Sequence, residues 1–242
     1  MAKKKAKPKT RNNILRRVTQ PLTWLRRVVL RYGLIAVIVV AVTVFAHRSL
    51  TPFDPLYLRQ EANRLGSVDH QWVSIDEVAP AMARSVVAAE DANFCLHWGF
   101  DMMAIRDALD DGGNRGASTL SQQVVKNLYL WHGRSWTRKA MEAMITPLVE
   151  AFWSKRRIIE VYLNVAEFDE GIFGVEAAAR HYFDVGPEAL SDLQAARLAA
   201  VLPNPKDRSA SKPSSFVRKR TGQIMDGAAT IRRDGRSACF ED

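Results

Sequence analysis

Apolar positions along the chain fall into one unbroken block followed by a series of helical stripes. The block is YGLIAVIVVAVTVFA, residues 32–46, fifteen positions without a charge. As a helix it spans roughly 22 Å at about 1.5 Å per residue, short of a hydrocarbon core of about 30 Å. Extension back through WLRRVVLR lengthens it, with Arg26, Arg27 and Arg31 snorkelling to headgroups. The pattern therefore predicts a transmembrane helix over 28–46. A cleaved signal peptide is the alternative, because Val44 and Ala46 form a small-residue cleavage site. The basic lead of 31 residues is long for a signal and favours a retained anchor.

Beyond the block the period changes. TPFDP (51–55) reads as an extended linker, since each proline biases its predecessor away from helix. SIDE (74–77) is a capping box, Ser74 with Glu77, opening a helix to about Asp91 that Pro80 bends early. Between 95 and 118 the pattern breaks down, with Met102, Met103 and Ile105 followed by the glycine-rich DDGGNRGAS. Ser118 is positioned to cap TLSQQVVKNLYL, in which Leu120, Val124 and Leu128 form one apolar stripe. Thr119, Gln122, Gln123 and Lys126 occupy another face. A further helix starts at Ser135 with a kink at Pro147, KRRIIEVYLNVAEF (155–168) continues as helix, DEGIFG is a turn, and VEAAARHYF is helical. The last clear helix runs from the capping box Ser191–Gln194 to Pro203. No alternating strand pattern and no internal repeat is visible, so the fold is expected to be all-α or nearly so. The expected organisation is a basic tail (1–27), the membrane helix (28–46), a linker and lead-in (47–73), a folded domain (74–210) and a C-terminal tail (211–242). SASKPSS marks the start of that tail, which carries the basic cluster Arg218, Lys219 and Arg220.

Charge refines this picture. The net charge of +9 points first to nucleic acid, but eleven of the 35 Lys and Arg lie in Met1–Arg31, which holds none of the 26 acidic residues. The remainder carries a net −2, which weakens the nucleic-acid reading. The same asymmetry predicts a cytoplasmic N-terminus and an outward-facing chain after residue 47. Cys95 and Cys239 are too few and too far apart for a disulfide framework or a zinc pattern, and the sequence gives no reason to prefer a bridge between them.

Candidate chemistry is concentrated in two stretches. EDANFCLHWGFD (90–101) combines Glu90, Asp91, His97 and Asp101 with three aromatics. Its spacing matches no metal motif, and Glu90 by itself reads as readily as a solvated helix end as a positioned base. GRSWTRKAMEA places Arg134, Arg138, Lys139 and Glu142 together, with Lys126 upstream. Arg138 and Glu142 are four apart, so an intrahelical ion pair contributing a few tenths of a kcal/mol is the plain alternative to a pocket for phosphate. A glycosidase must protonate a poor leaving group and needs a carboxyl of raised pKa. A transferase that expels a pyrophosphate needs instead a base for the incoming hydroxyl and cations for the departing phosphates. The anchor suits a substrate carried on a lipid pyrophosphate.

At this point the motifs resemble those of the peptidoglycan glycosyltransferases, which polymerise lipid II into glycan strands. EDANFCLHWGFD is similar to the family's first signature, GASTLSQQVVKNLYL to the second and RKAMEA to the third. RRIIEVYLNVAEFDEGIFGVEAAARHYF is similar to the fourth, and LAAVLPNP with DRS to the fifth. The resemblance covers about residues 74–209. With no transpeptidase region after the last motif, it is to the monofunctional branch. It implies a lysozyme-like, mostly helical glycosyltransferase domain with a small membrane-associated jaw that includes Phe100, Met102, Met103 and Ile105. It also implies Glu90 as general base and Glu142 as a second catalytic glutamate assisting at the donor. Lys126, Arg134, Arg138 and Lys139 match phosphate-binding positions, and Ser118, Gln122, Gln123 and Asn127 match polar substrate contacts. Asp91, His97 and Asp101 would hold the first motif in shape, with His97 near enough to touch substrate.

The implied partners are lipid II, undecaprenyl-pyrophosphate-linked glycan, the inner membrane, and cell-division or penicillin-binding proteins, with no nucleic acid. No cofactor is expected to bind tightly, and Mg or Mn would assist only at the pyrophosphate. Two positions depart from the pattern: Asp169 stands where the fourth motif has glycine, which would alter the turn, and Cys95 occupies a variable position. A lysozyme-like lytic enzyme and a non-catalytic membrane scaffold are the rival readings.

Overall fold

The computed structural model describes residues 11–53, 55–112, 116–133 and 135–241, with side chains from residue 24 onward. The candidate phosphate ligand Arg134 lies outside the described residues, as do residues 1–10 of the basic tail. The chain divides into two compact units, Met1–Thr43 and Val44–Asp242.

The first unit is the greater part of α1 (Arg11–His47). Within this helix the stretch Trp24–His47 is long and apolar enough to cross a membrane. Its 24 residues correspond to about 36 Å, which exceeds the hydrocarbon thickness that the uncharged block alone fell short of. Val29, Leu34, Val37 and Val42 are exposed along it, as a lipid-facing helix requires.

The second unit is helical with one small sheet. Its helices are α2 (Leu56–Leu65), α3 (Pro80–Glu90), α4 (Met102–Asp110), α5 (Leu120–Tyr129), α6 (Trp136–Phe152) and α7 (Lys155–Val165). They are followed by α8 (Gly174–Phe183), α9 (Asp192–Val201), α10 (Ser215–Arg233) and α11 (Ala238–Glu241). Two packing groups form the core: α3, α9 and α10 pack mutually, and α5 packs on both α6 and α7. The stripe expected on α5 is buried, with Leu120 and Val124 fully inside and Leu128 nearly so.

Several boundaries differ from expectation for local reasons. The box of Ser74 and Glu77 forms, but on a single 3-10 turn, Ile75–Glu77. Pro80 then starts α3 instead of bending it, because the first helical turn does not use the N–H that proline lacks. In the stretch read as irregular, Asp101 caps α4, its Oδ1 accepting from the Met103 and Ala104 amides at 2.9 Å. Helix α4 is amphipathic, but its apolar side faces outward: Met102, Met103 and Leu109 are exposed and only Ala108 is buried. Thr119, not Ser118, caps α5, with Gln122 completing the box. Pro147 is accommodated within α6.

The expected helix over 155–168 stops at Val165. After it come β2 (Glu167–Asp169) and β3 (Ile172–Phe173), with β3 also pairing in parallel to β1 (Asp69–His70). Strands of two or three residues are too short for alternation to register. Asp169 is held by the Tyr182 hydroxyl, which donates to Oδ2 at 2.7 Å, while Gly171 at φ 76° supplies the left-handed turn residue. The segment read as a tail is α10 and α11, and Cys95 is bonded to Cys239.

Candidate active site

Packing of α3 against α9 and α10 along its length puts its last residue, Glu90, inside the fold with 13% of its side chain exposed. Gln123 Nε2, one helix away on α5, donates to Glu90 Oε2 at 3.0 Å. The Tyr162 hydroxyl of α7 donates to Gln123 Oε1 at 3.4 Å and so orients the amide. From α10, Arg220 Nη2 lies 3.9 Å from Glu90 Oε1 and donates to Ala89 O at 3.2 Å. Burial raises the Glu90 pKa, opposed by Gln123, Arg220 and Lys126 and assisted by Asp91. Glu90 also sits at the negative end of its helix, which disfavours the carboxylate further. The result is a carboxylate of enhanced basicity held by an amide and a guanidinium.

Asp91, His97 and Asp101 make their contacts within the first motif and with the helix starts beside it. Asp91 Oδ2 accepts from the Leu120 amide at 3.0 Å, and Oδ1 lies 2.8 Å from His97 Nε2. The residues between them are bolted down from behind. Lys155 Nζ donates to His97 O and to Glu150 Oε1, both at 2.9 Å, and lies 4.3 Å above the Phe94 ring. Thr119 Oγ1 donates to Gly99 O at 2.7 Å. His97 Nδ1 is buried without a partner among the described residues.

The cation cluster assembles around Glu142, whose side chain is 3% exposed. Arg138 Nη1 donates to Glu142 Oε2 at 2.8 Å and Lys139 Nζ to Oε1, while Lys139 also reaches Ser118 Oγ at 3.1 Å. The intrahelical pair weighed from the sequence therefore exists, but it sits in a buried site. Each Glu142 oxygen accepts from one of these cations, so this carboxylate fixes both in place. The Lys126 ammonium makes no hydrogen bond or ion pair with a described residue, and burial lowers its pKa. Such a desolvated ammonium is a ready partner for an anion.

The other called residues divide clearly. Gln123 serves Glu90, whereas Gln122 is buried and its Oε1 accepts from the Thr119 amide at 3.0 Å, which commits it to the helix cap. Asn127 is buried, with Oδ1 unpartnered among the described residues and Nδ2 donating to Val165 O at 3.4 Å. It lines a cavity of about 350 Å³ together with Lys126, Tyr57, His132, Glu167 and Lys206. The Tyr57 hydroxyl donates to Glu167, and Lys206 Nζ binds Glu61 Oε2 at 2.9 Å. Burial lowers the His132 pKa, so its imidazole is neutral at pH 7. Tyr57, His132, Glu167 and Lys206 were not singled out from sequence, and Arg220 only as part of a basic cluster in the supposed tail. Lys206 and Glu167 fall inside the fifth and fourth motifs, which were the available signal, while Arg220 lay in the supposed tail.

Among the described residues no three His, Cys, Asp or Glu side chains converge to hold a metal ion. The cluster's own charge is cationic and its one carboxylate is occupied, a donor set that does not suit a resident Mg or Mn ion.

The chain matches the Transglycosylase family over residues 59–229, which takes in most of α2 and most of α10. It is 54% identical over 242 residues, covering 99% of each chain, to the biosynthetic peptidoglycan transglycosylase of Jannaschia sp.. It is 43% identical over 220 residues to that of Caulobacter vibrioides, covering 89% of this chain and 96% of the relative. Against that of Salmonella arizonae it is 48% identical over 218 residues, covering 85% and 90%.

Proposed function

The chain belongs to the Transglycosylase family and is a glycosyltransferase of peptidoglycan synthesis; from that premise we propose how its residues carry the reaction. The substrate is lipid II. Glu90 removes the proton from the 4-hydroxyl of the acceptor lipid II, and the oxygen attacks the anomeric carbon of the growing chain. The bond from that carbon to the pyrophosphate oxygen breaks with inversion, giving a β-1,4 linkage and releasing undecaprenyl pyrophosphate. Lys126, Arg138 and Lys139 meet the charge that develops on the leaving group, and Glu142 keeps the latter two in place. No acid is required, because a pyrophosphate leaves as a stable anion.

One observation carries this reading. Helix α5 joins the two halves of the site: Gln123 binds Glu90, and Lys126, three residues on and so on the same face, stands next to the cations of α6. Arg220 belongs to the machinery as the group that holds Glu90 from the opposite side. We place the N-terminus in the cytoplasm and the catalytic unit in the periplasm, following the basic tail. The exposed Leu96, Trp98, Met102 and Met103 form the surface that dips among lipids.

Purified protein given lipid II should form long glycan polymer and leave finished sacculi uncut. Cleavage of sacculi without polymer would replace the proposal with the lytic reading. Full cellular function in a Glu90→Gln variant would replace it with a scaffold.

A further inference from the structure

The disulfide joins Cys95 to Cys239 across 144 positions. Cys95 lies in the single turn Phe94–Leu96, just beyond Glu90, and Cys239 lies in α11. The noncovalent contacts near the bridge join the C-terminal segment to the same region. Arg236 Nη1 donates to Ala92 O at 3.0 Å, and the Phe240 ring, which is buried, lies 6.5 Å from Phe94. Glu241 pairs with Arg84 of α3 at 2.5 Å, and Arg156 donates to Phe240 O at 3.0 Å.

A helix of four residues has no stability of its own, so α11 depends on these attachments, of which only the disulfide is covalent. Helix α10, which brings Arg220 to Glu90, leads directly into it. Glu90 is thus flanked on one side by a guanidinium from α10 and followed by a turn cross-linked to the end of the same C-terminal segment.

We propose that Cys95–Cys239 is a redox-controlled clasp that fastens the C-terminal helices to the catalytic motif, so that polymerisation is fast when it is oxidised and slow when it is reduced. The proposal rests on Glu90 acting as base and on the catalytic unit facing an oxidising compartment, where such bonds persist. Closure needs an oxidant of the disulfide class, either a protein dithiol oxidoreductase or a small disulfide. One cysteine thiolate attacks a sulfur of that disulfide and forms a mixed disulfide, releasing one thiol. The second cysteine then attacks the mixed bond, closing Cys95–Cys239 and releasing the other thiol. Two electrons and two protons leave the cysteines, and the oxidant ends as two thiols. Both cysteines are half-buried, which leaves them open to such exchange.

The test uses the full chain in detergent, with dithiothreitol as reductant, alkylation read by intact mass, lipid II polymerisation, and hydrogen exchange. Without reductant the wild type should take up no alkylating label. With reductant it should take up two, lose at least about threefold in rate, and exchange faster over residues 90–101 and 234–241. Cys239→Ser should start at the reduced rate and not respond to dithiothreitol, and the double variant Cys95→Ser, Cys239→Ser should behave alike. Label on both cysteines before reduction would overturn the clasp, as would unchanged rate or exchange after it. A response of the double variant to reductant would also overturn it, since the reagent would then act elsewhere. If the oxidised wild type makes no polymer, the functional reading fails, while hydrogen exchange still reports on the clasp.

Discussion

Gly99→Ala is the substitution whose effect the geometry fixes most tightly. Gly99 has φ 83°, and a Cβ there would lie 2.7 Å from Thr146 Cγ2 and 3.1 Å from Glu150 Cγ. The left-handed conformation costs an alanine about 1–2 kcal/mol. Overpacking adds about 1–3 kcal/mol, with little relief available, because Thr146 is fully buried and its hydroxyl donates to Glu142 O at 2.7 Å. Rotating Thr146 away would break that bond. The expected loss is therefore about 2–5 kcal/mol, or roughly 4–20 °C in Tm for a unit of this size. Activity should fall as well, since the strain bears on the Thr119 bond to Gly99 O and hence on the helix that carries Gln123 and Lys126. Thermal unfolding in detergent, followed by intrinsic fluorescence, reads the first effect and lipid II polymerisation the second. Gly116→Ala is the control, since its Cβ meets nothing within 4 Å, and it should stay within about 0.5 kcal/mol of wild type. A Gly99→Ala protein as stable as that control would refute the close approach of the first motif to α6.

Three further outcomes are expected. Glu90→Gln should lower polymerisation at least about 100-fold, the contribution of a general base, while raising Tm at neutral pH. The sign follows from burial: a carboxyl whose pKa is raised in the fold binds its proton more tightly there than when unfolded. Its contribution to stability therefore falls as pH rises from its ordinary value through the raised one, and the neutral amide avoids that loss; a lower Tm would contradict it. The acid limb of the wild-type kcat/KM profile should lie above the ordinary carboxylate range, and Arg220→Met should move it to still higher pH by removing the cation that favours ionised Glu90. An unmoved limb with lowered Tm would reduce Arg220 to a cap on the α3 carbonyls. Lys126→Met should weaken donor use by roughly 10–100-fold, the value of about 1.5–3 kcal/mol for a charge-assisted bond, and kinetics unchanged across donor concentrations would remove it from the phosphate site.

The elements legible in the sequence were those that rest on local periodicity or on a cap within one turn. The Ser191–Gln194 box opens α9 as expected, and the stripe Leu120, Val124, Leu128 faces the core. The strands, of two or three residues, carried no such signal, and the amphipathic α4, capped by Asp101, turns its apolar side outward and not to the core. For the candidate site, the ordered motifs named Glu90, Gln123, Lys126, Arg138, Lys139 and Glu142 because each motif is a contiguous run. They did not distinguish Gln122, which closes a cap, from Gln123, which binds Glu90, since adjacent helix positions point in different directions and only packing shows which one meets the site.

The sequence by itself determined a helix long and apolar enough to cross a membrane, the helical character of the second unit and the identity of the base and cation candidates, because hydropathy, period and motif are properties of neighbouring residues. The tertiary structure alone decided that Glu142 is buried between Arg138 and Lys139, that Lys206 and Glu167 wall the cavity beside Lys126, and that the supposed tail returns Arg220 and Cys239 to the first motif. Arg220 meets the end of α3 across 131 positions and Cys239 meets Cys95 across 144. Partners so far apart leave no mark on the local pattern of either segment; the packing of α10 on α3 and α9 brings the first pair together, and that of α11 on α7 and the Phe94–Leu96 turn the second.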